Sequence, residues 1–172
     1  MRRRDSNLIT RLVNDTLHTI RGSVAYGWWR VDGQAREIHT KPILINANQM
    51  QELASEAISE ERDPCQWLYA AVLYSEEGAA IDHSIWLLAP HRELKLAYPA
   101  IQVTKRSDDW IEIYSDVYCH AVHFEDHGGE ILSDNWFDLL PGIVKQLRLI
   151  NPIKFEDTFF TAVTIKHFDE GG

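Results

Sequence analysis

The nearest approach to a metal site in this sequence is the group Cys119, His120, His123, Glu125, Asp126 and His127, since thiolate, imidazole and carboxylate all ligate zinc. The spacing argues against convergence. Along one extended strand His120 and His123 fall on opposite faces, because their separation is odd, which leaves only His123, Glu125 and His127 on a common side. They read as surface histidines beside a turn, and neither metal nor cofactor is expected. The acidic pairs Glu60-Glu61, Glu76-Glu77 and Asp108-Asp109 could be offered as general acid and base. Neighbours on a loop lack the burial that drives two carboxyl pKa values apart, so these read as solvated turn charges. Ser84, Ser107, Ser115 and Ser133 have no nucleophile-elbow context, and no glycine-rich loop leads into a helix that could hold a phosphate. Aromatic chemistry is left: six tryptophans supply flat faces suited to the apolar faces of sugar rings. Trp28, Trp67 and Trp86 lie inside apolar runs and read as core. Trp110 and Tyr114 share a strand face with Glu112, the mixture expected of a partly solvated sheet, and are the sugar-contact candidates.

The elements that carry these residues are short β-runs separated by turn residues at intervals of roughly 8 to 12, the pattern of an all-β sandwich. Ile9 to Val13 and Val24 to Val31 are the first two runs, with Val24, Tyr26 and Trp28 alternating against Trp29 and Val31 before a hairpin turn at Asp32-Gly33. Ile38 and then Ile43 to Ile45 follow, with Pro42 marking an edge strand or a strand entry. Met50 to Glu61 is ambiguous: Met50, Leu53, Ala54, Ala57 and Ile58 recur at helical spacing behind Asn48, a plausible N-cap, so a short helix or an irregular loop is expected. Trp67 to Tyr74, a Glu77-Gly78 turn and Ile81 to Leu88 complete the first series. Leu94 to Pro99 reads as a connector, restricted at Tyr98 by the following proline. The second series runs through Ile101, Trp110 to Tyr114, Val117 to Phe124, a His127-Gly128-Gly129 turn, Trp136 to Leu140, Val144 to Leu149 and Thr161 to Phe168. Each half has the number of runs that a six- or seven-strand sandwich needs.

A chain of 172 residues that is 45% hydrophobic and 25% charged folds around one or two cores and is neither disordered nor membrane-embedded. No apolar run approaches the roughly 20 residues of a spanning helix, and Arg2-Arg3-Arg4 is followed by polar residues, not by a signal-peptide core. No membrane partner is expected. A net charge of −9 repels a phosphate backbone, which excludes nucleic acid as the expected partner. Cys65 and Cys119 form no Cys-x-x-Cys pattern and fall in different halves, so both read as buried thiols in a reducing, cytoplasmic setting.

The most distinctive stretch is Ser133-Asp134-Asn135-Trp136-Phe137-Asp138-Leu139-Leu140-Pro141-Gly142. Ser-Asp-Asn side chains bond nearby backbone and tolerate left-handed conformations, so a turn is expected at Asp134 and Asn135. A strand from Trp136 to Leu140 should then point Phe137 and Leu139 to the core and Trp136, Asp138 and Leu140 to the other face, until Pro141-Gly142 ends it. The whole decapeptide resembles the segment Ser-Asp-Asn-aromatic-Phe-Asp-Leu-Leu-Pro-Gly of the last immunoglobulin-like domain of the β-mannosidases of glycoside hydrolase family 2. Ser133, Asp134, Asn135, Phe137, Pro141 and Gly142 are its structural motif. The Leu12-Val13-Asn14-Asp15-Thr16-Leu17 run, Asp32-Gly33, and Leu87 to Leu96 with Pro90 resemble the penultimate domain of the same family, although His91-Arg92 stands where a lysine is usual.

That resemblance implies two consecutive immunoglobulin-like β-sandwiches, residues 1–96 and 97–172. In the family, two glutamates on a (β/α)8 barrel hydrolyse a β-mannoside with retention, which needs carboxylates about 5 Å apart. A barrel takes at least about 200 residues of alternating strand and helix. Neither it nor the asparagine-glutamate acid/base motif occurs here, so no residue inherits a catalytic role and no hydrolysis by this chain alone is expected. The chain resembles the non-catalytic C-terminal part of a larger enzyme, whether a piece, a truncated gene product or one subunit of a split enzyme. The expected partner is the catalytic barrel, against which the Trp110 face could also pack, with self-association through an exposed patch as a further expectation. The alternatives are a carbohydrate-binding module and an independent protein-interaction module.

Overall fold

The computed structural model describes residues 2–4, 7–107, 109–124, 132–150 and 162–163. Their strands are β1 (Arg2–Arg4), β2 (Asn7–Asn14), β3 (Ile20–Arg30), β4 (Arg36–Ile45), β5 (Gln49–Ala57), β6 (Trp67–Tyr74), β7 (Ala80–Leu87), β8 (Gln102–Lys105), β9 (Trp110–Tyr114), β10 (Cys119–Phe124), β11 (Phe137–Leu139), β12 (Lys145–Arg148) and β13 (Ala162–Val163), with one 3-10 turn at His91–Glu93. The fold is all-β, two immunoglobulin-like sandwiches. The chain divides into two compact units, one of Met1–Arg30 with Ala35–Leu94 and one of Val31–Gln34 with Lys95–Gly172. The tip of the β3–β4 hairpin thus counts with the second unit, where Tyr118 N–H donates to Val31 O at 2.8 Å.

In the first unit the sheets are β1-β2-β5 and β4-β3-β6-β7, every pairing antiparallel. Alternation on β3 sends Val24, Tyr26 and Trp28 into the core, where they meet Leu8 and Leu12 of β2, Ile43 and Ile45 of β4 and Tyr69 of β6. Trp67 and Trp86 pack on this cluster half-buried, so only Trp28 of the three expected core tryptophans is enclosed. Each fully buried large apolar side chain stabilises by about 1.5–3 kcal/mol relative to its exposed state. Pro42 sits in β4, an edge strand, where a missing N–H costs no ladder bond if it faces outward.

The helix or loop expected over Met50 to Glu61 is instead strand β5 as far as Ala57. Its ladder with β2 slips between Thr10 and Arg11, where Leu53 is the extra residue of a β-bulge. The bulge places Leu53 beside Ala54 and so imitates helical spacing, while Met50 stays 64% exposed. Asn48 is not an N-cap. It takes the left-handed conformation (φ 54°) in the turn that joins β4 to β5, which its short polar side chain tolerates.

In the second unit the sheets are β12-β9-β8 and β11-β10-β13. Ile111, Ile113, Val117, Cys119, Val122, Phe137, Leu139, Leu147 and Leu149 form its core, with Val103 and Phe124 packed on it. Cys119 is buried, and burial holds its thiol above the usual range; Cys65, expected buried, is only half-buried. Of the expected run Thr161 to Phe168 only Ala162–Val163 is described, paired with Phe124 and His123. The rest of that run, the 127–129 turn, Asp108, Glu125, Asp126 and His127 lie outside the described residues. Among the described residues no helix is long and apolar enough to cross a membrane.

Candidate functional site

The ten-residue segment 133–142 is built by side chains that bond backbone. Ser133 exchanges two bonds with Arg148 of β12: its N–H donates to Arg148 O at 2.8 Å and its Oγ accepts Arg148 N–H at 2.9 Å. Asp134 accepts Asn135 N–H on Oδ1 and pairs with Lys145 Nζ at 2.8 Å through Oδ2. Asn135 Oδ1 accepts both Trp136 N–H and Phe124 N–H, each at 3.1 Å. The left-handed residue is therefore not Asp134 or Asn135 but Trp136, at φ 62°, and the strand begins one residue later than expected, at Phe137. Trp136 is 60% exposed, and its indole lies flat on His123, centroids 4.1 Å apart at 7°.

Phe137 and Leu139 point to the core as expected, and Lys145 Nζ stands 4.7 Å over the Phe137 ring. Asp138, between them, faces the other way and accepts three bonds: Tyr118 OH at 2.7 Å, His120 Nδ1 at 2.8 Å and Ala121 N–H at 2.9 Å. Burial and the Asp138 charge push the Tyr118 phenol well above its ordinary range, so it donates at any working pH. Leu140 to Ile143 close a turn with Ile143 N–H on Leu140 O; Gly142 supplies its positive φ of 74°, the conformation that proline followed by glycine permits.

Asp138 fastens an irregularity that upsets the parity argument for the histidines. Between Cys119 and Val122 the β10–β11 register shifts, with Ala121 left-handed at φ 50°, so Cys119 and Val122 both reach the core despite an odd separation. The same bulge turns His120 and His123 to the outer side together, where they take different partners, Asp138 and Trp136. Cys119 faces inward, away from both.

On the outer face of β12-β9-β8, Trp110, Glu112 and Tyr114 lie in line as expected. Trp110 is 42% exposed and Tyr114 half-buried. Arg148 stands opposite Trp110 and Gln146 opposite Glu112 in the ladder. Glu112 binds Arg106 Nε at 2.6 Å and Gln146 Nε2 at 3.2 Å; the Arg106 bond holds its carboxyl below the usual range, against some desolvation.

The first unit has its own polar construction. Asn14, 1% exposed, shares the two hydrogens of its Nδ2 among three carbonyls, His18 at 2.7 Å, Asn46 at 3.1 Å and Ile45 at 3.2 Å, and accepts Thr16 N–H and Thr16 Oγ1–H on Oδ1. Arg62 lies between Trp28 and Trp67, 4.7 and 4.9 Å from their rings, and is held by Glu37 at 2.6 Å. That pair lowers the Glu37 carboxyl pKa. Trp28 Nε1 donates to Glu56 at 3.1 Å. Buried Tyr69, whose pKa burial pushes up to about 12, meets Thr10 at 3.1 Å. Reading the sequence missed Asp138 and Asn14 as anchors; a lone carboxylate inside the apolar Phe-Asp-Leu-Leu run was the signal for the first.

The sequence profile of a family described as "Mannosidase Ig/CBM-like domain" matches residues 7–93. The chain belongs to this family. Its anchor Asn14 and its aromatic core, Trp28 and Tyr69, all fall inside the matched stretch. Among solved structures, the β-D-mannosidase from Dictyoglomus thermophilum matches with a TM-score of 0.82 at 22% identity, over 95% of this chain and 21% of that one. The exo-chitosanase from Amycolatopsis orientalis matches with a TM-score of 0.54 at 14% identity, over 84% of this chain and 23% of that one. The chain thus spans about a fifth of each structure, and at these identities the likeness is one of fold. A comparison with curated protein sequences gives no significant match.

Proposed function

We propose that this mannosidase Ig/CBM-like chain is the non-catalytic C-terminal region of a β-mannosidase-like hydrolase of glycoside hydrolase family 2. In this reading the first unit is the penultimate immunoglobulin-like domain and the second the closing one, and together they support a catalytic (β/α)8 barrel and the surroundings of its active site. The observation that carries it is the likeness of fold along 95% of this chain to about a fifth of a β-D-mannosidase. The carboxylates agree with this reading: Asp138 gives its oxygens to three structural donors and Glu112 is tied to Arg106 and Gln146. Neither is a carboxylate free to attack a sugar.

The test is the coding sequence around this chain, followed by an assay with p-nitrophenyl β-mannoside. The same or an adjacent frame is expected to encode a barrel with paired glutamates, whose activity falls when residues 1–172 are deleted. Hydrolysis by this chain alone, abolished by a point substitution within it, overturns the reading. A second reading, a carbohydrate-binding module, is favoured by the exposed Trp110 with Tyr114 beside a fixed Glu112; loss of glycan binding in Trp110→Ala would support it.

A further inference from the structure

We propose that Trp136, backed by His123, is a stacking platform for one pyranose ring of a β-linked saccharide. The indole serves neither backbone nor core where it stands. At φ 62° a glycine would be unstrained, whereas a bulky side chain pays a steric penalty. With 60% of its surface exposed, it recovers little of that by burial. Strain kept at an exposed position points to a use for the side chain itself.

The surroundings fix the ring. Asn135 Oδ1 holds the Trp136 N–H and ties it to Phe124 of β10, while the Asp134–Lys145 ion pair holds the preceding turn to β12. The parallel His123 imidazole, 4.1 Å behind and 3.3 Å from Ala121 O through Nδ1, covers one indole face. Among the described residues no second ring stacks on Trp136, its 60% exposure leaves surface for a ligand, and a ring that is already oriented loses little freedom on binding. One indole face matches one six-membered ring. A β-linked pyranoside turns the axial hydrogens of C1, C3 and C5 to one side, an apolar patch of that size, and its rim hydroxyls would meet the polar side chains Asp134 and Asn135 that precede Trp136. Among the described residues the ring follows polar Asp134 and Asn135, and a single indole is too small an apolar area for a stable protein interface. The segment lies outside the stretch matched by the family profile.

Choosing a mannoside as the first ligand rests on the proposed glycosidase reading; the platform does not. The experiment is calorimetric titration of the 172-residue chain with β-1,4-mannohexaose, cellohexaose and chitosan hexamer, using wild type, Trp136→Ala, Trp136→Gly, His123→Ala and Trp110→Ala. Binding is expected to fall at least tenfold in both Trp136 variants and severalfold in His123→Ala; Trp110→Ala separates this platform from the Trp110 face, and a loss there beside the Trp136 loss adds that face without removing the platform. Trp136→Gly should melt no lower than wild type, because glycine relieves the left-handed strain, so lost binding cannot be ascribed to misfolding. Trp136-dependent binding of cellohexaose or chitosan alone keeps the platform and removes the mannoside. No binding of any probe, unchanged binding in Trp136→Gly, or loss confined to Trp110→Ala overturns the platform, and none of these bears on the barrel test.

Discussion

Asn14 in the first unit and Asp138 in the second are side chains of nearly one shape set to opposite chemical work. Asn14 is a donor hub: its two amide hydrogens are shared among three carbonyl oxygens from the end of β4 and the turn after β2. Asp138 is an acceptor hub: its carboxylate gathers a phenol, an imidazole and a backbone N–H around the β10 bulge. Each replaces ladder bonds that the strands cannot make where they end or slip, and unmade bonds of that kind are costly in an interior. The contrast explains why one amide and one carboxylate hold these places: the polarity of the orphaned backbone groups selects the side chain.

Exchanging the two chemistries tests this directly. The largest effect is expected from Asn14→Asp, which turns a carboxylate oxygen on three carbonyls in a site closed to water; a loss of about 3–5 kcal/mol is expected, read by denaturant unfolding, and Asn14→Ala should be milder. Equal or smaller loss in the aspartate variant would break the donor-hub account. Asp138→Ala should cost about 2–3 kcal/mol by removing the acceptor of the Ala121 N–H, Tyr118 hydroxyl and His120 bonds. Asp138→Asn should cost only about 1 kcal/mol, since one oxygen still accepts and the phenol can turn to accept in its place. Amide exchange should localise the first loss to β2 and β4 and the second to β10 and β11.

The smallest effect concerns Glu112, a half-buried ion pair with no hub behind it. Because its folded pKa lies below the unfolded value, its contribution is present above the ordinary glutamate pKa of about 4.3 and drains as pH falls through the lower folded value. The melting temperature of wild type should exceed that of Glu112→Gln at pH 7 by a degree or two, and the gap should narrow as pH falls below the ordinary glutamate range. A gap independent of pH would mean that the Arg106 contact is packing, not charge.

Strands were legible as apolar runs and their faces wherever alternation held: Trp67 to Tyr74 is β6 residue for residue, and Phe137 with Leu139 is a core pair. What escaped lay at two places where one residue is added to a ladder, whereas a third such slip, at Ile81 between β6 and β7, did not hide its strand. A bulge at Leu53 made a strand look helical, and a bulge at Ala121 brought two histidines with odd spacing to one side, because parity holds only while the register does. Trp136 was unreadable for a related reason. Its left-handed backbone is imposed by Asn135 bonding to Phe124, eleven residues away, and no local propensity would place a tryptophan there. Trp110 and Tyr114, by contrast, were placed on their common face by simple alternation.

Pro42 carries an implication for how copies of this molecule behave in a crowded solution. An exposed β-strand invites another chain to dock alongside it and seed fibrous growth, and β4 is such a strand at ten residues in length. A ring where an amide hydrogen would be, with Lys41 before it and Arg36, Glu37 and His39 earlier in the strand, makes that flank a poor template. Prolonged agitation should leave wild type clear, and Pro42→Val is the variant that should turn turbid first.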